Sequence, residues 1–281
     1  MTAPAPSDHG VDAPDADLTP SERRRLRFRK IPIRVILPNL VTLLALSMGL
    51  TAIRLAAEQQ FEKAVIAVIA AAVLDGLDGR LARALKGATR FGAELDSLAD
   101  FVDFGVAPAL VLYFWALHER PGFGWFAALV FAIAAALRLA RFNVMIDEPG
   151  KPAWHAEFFV GMPAPAGAVT VLLPLYLHLS VVELPGSKSL APLYILYVLF
   201  IAFLMASRIP HFSGKRIGRI QRDLVIPLLF GIGVTALLLA TYPMETLTLI
   251  SLAFLGAIPF SVKRYAALSR ADAERSETAA P

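Results

Sequence analysis

Apolar runs long enough to cross a bilayer recur along most of the chain, each closed by a short polar or charged stretch. At roughly 20 residues per spanning helix, the pattern predicts eight spans near 36–56, 62–79, 95–117, 124–142, 158–180, 191–207, 224–241 and 245–262. Breaks at Pro38, Pro121-Gly122 and Pro243 fall at span ends, whereas Pro163, Pro165 and Pro174 lie inside the fifth span and predict a kink there. The expected fold is an all-α polytopic membrane bundle over residues 31–262. Residues 1–30 form a tail, disordered and then basic, and residues 263–281 form a C-terminal tail. No internal repeat and no second domain is visible.

Composition agrees. The 281 residues are 57% hydrophobic and 18% charged, with a mean hydropathy of +0.60, which excludes an ordinary soluble domain. There is no cysteine, hence no disulfide framework and no thiolate zinc site. The basic run Arg23–Lys30 leads into an apolar span without a small-residue cleavage site, so no signal peptide is expected. Of the 27 Lys and Arg, all but Arg54, Lys63, Arg120 and Lys188 fall on one side of the predicted membrane. The positive-inside rule then places both termini in the cytoplasm of a bacterial inner-membrane protein. The net charge of +4 reflects that topology and anionic headgroups; nucleic acid would need a basic soluble domain. Trp115, Trp125, Tyr113 and Tyr242 near span ends read as interface anchors. His155 and His211 read as solvated loop histidines.

Four aspartates break the apolar pattern: Asp75, Asp78, Asp96 and Asp100. A carboxylate at bilayer depth costs about 2.5–3.5 kcal/mol on insertion scales, so something positive must hold them. Spacings of three and four put each pair on one helix face. Two such faces brought together make a cage of hard oxygens suited to Mg²⁺ or Mn²⁺. Between the pairs, Gly79 and Gly92 leave room for a diphosphate against the backbone, and Ala82 keeps the groove shallow. Arg83 offers a bidentate fork for a phosphate. Asp100, one turn beyond Asp96, is placed to meet an incoming hydroxyl as general base.

Written out, the stretch is Asp75-x2-Asp78-Gly79-x2-Ala82-Arg83-x8-Gly92-x3-Asp96-x3-Asp100. It resembles the signature of the CDP-alcohol phosphotransferases at all eight fixed positions. The resemblance implies displacement of CMP from a CDP-activated lipid by an alcohol. It implies metal, two ions, on all four aspartates, with the fourth also deprotonating the alcohol. By position it carries CDP contacts to Gly79, Arg83 and Thr89, and to Asn39 and Thr42 in the PNLVT segment. Asn39 and Thr42 also fit a helix start after Pro38. A homodimer through membrane helices is implied as well.

Four further stretches resemble the bacterial membrane-embedded phosphatidylserine synthases of that family: 96–113, 137–144, 158–168 and 207–217. That resemblance implies CDP-diacylglycerol as donor and L-serine as acceptor. Asp103 departs from it, standing where the relatives carry Ser or Asn; it would hold a serine ammonium or be a variation on a helix surface. The cations available for an acceptor carboxylate are Arg138, Arg141, Lys215 and Arg216, which also read as topology charges. Glycerol 3-phosphate, inositol phosphate and choline are the alternative acceptors. A divalent-cation transporter is the alternative from another class, since intramembrane acids also mark ion paths.

Overall fold

A computed structural model describes residues 33–87, 89–146, 154, 157–180, 190–213 and 222–278. Its main helices are α1 (Ile33–Ala57), α2 (Phe61–Ala84), α3 (Arg90–Trp115), α4 (Pro121–Ile146), α5 (Ala164–Leu179), α6 (Ala191–Ala206), α7 (Arg222–Thr241) and α8 (Pro243–Thr278). By length and composition, α1, α3, α4 and α8 are long and apolar enough to cross a membrane, and α5, α6 and α7 contain shorter apolar helices. The chain is an all-α membrane bundle. Its outer faces expose large apolar side chains such as Leu50, Ile133, Phe203 and Phe230, the surface expected where lipid is the solvent.

Several boundaries differ from the hydropathy pattern. Helix α1 starts at Ile33, so Pro38 lies inside it and the reading of Asn39 and Thr42 as a helix start is corrected. Pro38 is the sixth residue of the helix, past the first turn, so the bond that an N–H there would give to the Arg34 carbonyl is missing. The predicted fifth span begins too early: residues 158–160 are a β-strand, and α5 starts only after Pro163. The chain then breaks at Leu172, where Pro174 opens a second helical piece, Leu173–Leu179. The final helix also continues to Thr278, well past the apolar window that ended near 262.

The two short strands, β1 (Phe158–Val160) and β2 (Pro210–Phe212), pair antiparallel with Phe159 opposite His211. They tie the segment after α4 to the segment after α6. His211 was expected in solvent and is instead buried, its Nδ1 2.8 Å from the Ile209 carbonyl and its ring stacked on Phe254 of α8. Burial holds its imidazole below the ordinary value. Trp115 likewise packs inward, against His178 and Tyr194, rather than anchoring at an interface.

Helix α1 is the element on which both acid-bearing helices pack. Its buried stripe reads Pro38, Thr42, Ala45, Gly49, Ala52 and Ala56, spaced by four and three. Small side chains at that spacing let neighbouring helices approach closely, the common solution where lipid supplies no hydrophobic drive. Helix α3 carries a π-turn over Val102–Val106, which shifts its register just after Asp100.

Candidate metal and nucleotide site

The turn between α2 and α3 fixes where the acids lie. Helix α2 ends in a Schellman motif: Lys86 adopts φ +50°, its N–H donates to the Arg83 carbonyl, and the Gly87 N–H donates to Ala82 at 3.0 Å. Two residues later Thr89 caps α3, its Oγ1 accepting from the Gly92 N–H at 3.0 Å. The C-terminal end of one acid-bearing helix thus lies close to the start of the next.

Carboxylate oxygens of Asp75, Asp78 and Asp96 lie within 4.8 Å of one another. Opposite ligands of an octahedral Mg²⁺ are about 4.2 Å apart, so a hard divalent ion needs only a small contraction of this set. The donors are all carboxylate oxygens, the type that suits Mg²⁺ or Mn²⁺. Among the described residues no Lys or Arg forms a salt bridge with these three. The three residues could hold a metal ion. Asp100 stands beside them, in side-chain contact with Asp75, and the Arg138 guanidinium acts on it from α4.

A cavity of ≈ 260 Å³ opens beside this triad. Its wall includes Asp78 and Asp96 and all seven residues expected at the CDP group: Asn39, Thr42, Gly79, Ala82, Arg83, Thr89 and Gly92. Pro38, Gly87 and Ala93 complete it and were not anticipated, since backbone and methyl walls leave no chemical signal in a sequence. Gly79 faces open space, with only the Arg83 guanidinium 3.8 Å from where a Cβ would lie. Gly92 serves a different purpose. A Cβ there would come within 2.8 Å of Asn39 Oδ1, so this glycine admits α1 rather than a ligand. Thr42 Oγ1 donates to Asp78 Oδ2 at 2.7 Å.

The predicted acceptor cations separate. Arg138 is buried, its guanidinium 5.2 Å from the Phe142 ring centroid and within electrostatic reach of Asp100. Arg141 instead donates to the Ala206 and Ser207 carbonyls at 2.9 and 3.0 Å, closing the C-terminal end of α6. It also borders a second cavity with Arg208, Phe159 and Tyr265. Lys215 and Arg216 lie outside the described residues. Asp103 is not a helix-surface variation: it is 1% exposed and turned toward Gly49 of α1.

A family profile described as CDP-alcohol phosphatidyltransferase matches residues 35–205, from α1 through α6. The chain belongs to the CDP-alcohol phosphatidyltransferase family. A second profile of this group, CDP-alcohol phosphatidyltransferase 2, matches residues 223–259 in α7 and α8. Among similar proteins of the family, a Mycobacterium leprae protein named CDP-diacylglycerol–serine O-phosphatidyltransferase is 53% identical over 148 residues, covering 53% of this chain and 49% of its own length. A Helicobacter pylori protein of the same name is 35% identical over 193 residues, covering 69% and 78%. One from Bacillus subtilis is 32% identical over 179 residues, covering 63% and 91%. The chain spans about half the length of the mycobacterial relatives it matches.

Proposed function

We propose that this protein transfers the phosphatidyl group of CDP-diacylglycerol to L-serine, forming phosphatidylserine and releasing CMP. The observation that carries the reading is the juxtaposition of three clustered carboxylates with one cavity whose wall holds Asn39, Thr42, Gly79, Ala82, Arg83, Thr89 and Gly92. The relatives' names point to the same donor and acceptor.

In this reading Asp75, Asp78, Asp96 and Asp100 hold Mg²⁺ or Mn²⁺, two ions in all. When bound, the metal neutralises the diphosphate and stabilises charge on the attacking and leaving oxygens. The chain's own residues do the rest. Arg83, exposed at the cavity edge, grips a phosphate oxygen. The open backbone at Gly79 lets the diphosphate lie close. Asp100 takes the proton of the serine hydroxyl, whose oxygen bonds to the phosphorus that carries diacylglycerol as the bond to the CMP oxygen breaks. Arg138, beside Asp100, receives the serine carboxylate. The lipid tails lie among the membrane helices, and the site and both termini face the cytoplasm of a bacterial inner membrane. A homodimer through the membrane helices belongs to the same proposal.

The test is incubation of purified protein with CDP-diacylglycerol and a panel of alcohols. CMP release and phosphatidylserine formation are expected with serine. Release with glycerol 3-phosphate, inositol phosphate or choline, and none with serine, would overturn the acceptor assignment while leaving the phosphotransfer intact.

A further inference from the structure

We infer that Thr42 is a positioning residue of the metal site, through which α1 fixes the direction of the Asp78 carboxylate. The inference rests on the metal-dependent reading above and departs from it at one residue, since Thr42 there stood as a nucleotide contact.

The hydroxyl of Thr42 is buried, 4% exposed, and has two acceptors within reach: Asp78 Oδ2 at 2.7 Å and the Pro38 carbonyl at 3.2 Å. A threonine hydroxyl carries one hydrogen. The shorter bond runs to a charged acceptor, and such bonds are roughly twice as strong as neutral ones, so Asp78 takes the hydrogen. What remains on the oxygen is lone pairs. Toward an anionic diphosphate they offer nothing attractive, even though the residue lines the cavity.

The geometry around this bond agrees. Asp78 is itself 3% exposed, so its direction is decided by its protein neighbours rather than by water. Three residues before Thr42, on the same face of α1, Asn39 lies against Gly92 of α3, one turn ahead of Asp96. Helix α1 therefore meets both acid-bearing helices beside their carboxylates, at Asp78 directly and at Gly92 one turn away. A ligand carboxylate held by an outer partner is pre-aimed, and removing such partners typically costs 10–100-fold in metal affinity.

Mn²⁺ binding to the full chain in detergent, followed by the loss of free-ion EPR signal without substrate, tests this. Thr42→Val is expected to weaken Mn²⁺ binding about 10-fold, with Thr42→Ser close to the parent. At saturating Mn²⁺, KM for CDP-diacylglycerol should stay unchanged in Thr42→Val. If that variant does not fold, Thr42→Ala, which extends the small-residue stripe of α1, serves in its place. Parent-like Mn²⁺ binding in the hydroxyl-deleted variant, with weakened binding in Asp78→Asn, would overturn the inference and leave the metal site standing. A raised KM for the nucleotide lipid with unchanged Mn²⁺ affinity would return Thr42 to the nucleotide. Parent-like binding in Asp78→Asn would instead overturn the metal-site reading itself.

Discussion

The carboxylate of Asp103 fills the space into which a side chain on Gly49 would project. The two residues face each other between α3 and α1, one turn deeper than Asp100, where Asp103 is almost wholly enclosed. Gly49→Ala should therefore destabilise the protein by about 1–3 kcal/mol through overpacking. Shortening the opposing residue in Gly49→Ala/Asp103→Ser should recover part of that loss. Thermal melting of the four variants of the cycle in detergent checks it, with a coupling of roughly 0.5–3 kcal/mol expected for residues in contact.

That pair also shows where sequence reading stops. Asp103 is visible as an acid, but whether it lies on a surface or against another helix depends on the absence of a side chain 54 positions away. The four motif aspartates were legible because their spacing of three and four is itself a geometric statement about one helix face. Seven of the eight apolar segments were legible through length and composition, four as helices long enough to span a membrane and three as shorter apolar helices; the second, α2, carries too many charges to count among them. The strand pair was not, because Phe158–Val160 is as apolar as the helices around it and only its partner at Pro210–Phe212 distinguishes it. His211 looked polar and loop-borne, and its burial follows from α8, which no local pattern reveals.

Arg141 is expected to matter for stability more than for the acceptor. Its guanidinium holds two carbonyls at the end of α6, and hydrogen bonds to charged groups are worth about 1.5–3 kcal/mol. Arg141→Ala should lower the melting temperature while leaving KM for serine close to the parent at a temperature where both are folded. Arg138→Ala should do the reverse and raise KM for serine. The two measurements, made side by side, assign the cations.

Asp100→Asn should reduce turnover by about 10²–10⁴-fold, the range for loss of a general base, and by more if its charge also holds metal. CMP release under saturating substrates measures it. Arg83→Lys should act differently. Lysine keeps the charge but loses the fork, so KM for CDP-diacylglycerol rises while Mn²⁺ binding in the absence of substrate is retained.

Chelation separates the metal from the protein's own groups. EDTA should abolish CMP release, and Mg²⁺ or Mn²⁺ should restore it, because carboxylate oxygens are the only donors in the triad. Removing the ion also removes the charge that offsets three close carboxylates, so the melting temperature should fall on chelation and recover with metal. A parent protein whose activity and melting are both indifferent to EDTA would exclude the cage.

The buried imidazole of His211 predicts an acid limit to stability that is independent of the metal. Its Nδ1 lies 2.8 Å from the Ile209 carbonyl, and its Nε2 is enclosed without a hydrogen-bond partner, so the fold takes the neutral ring. Burial lowers its pKa from the ordinary 6.5. The unfolded chain then binds the proton first as the solution is acidified. The stabilising contribution is complete above about pH 6.5 and is lost as pH falls through the depressed folded value. Replacing the ring by one that cannot titrate, as in His211→Phe, keeps the stacking on Phe254 and gives up the bond to Ile209. That variant should melt lower than the parent at pH 7.5, and the gap should narrow at pH 5. Melting curves of both proteins across that range, in one detergent and with EDTA present to silence the metal, decide it: a gap that stays constant with pH would show that the ring carries no proton-linked stability.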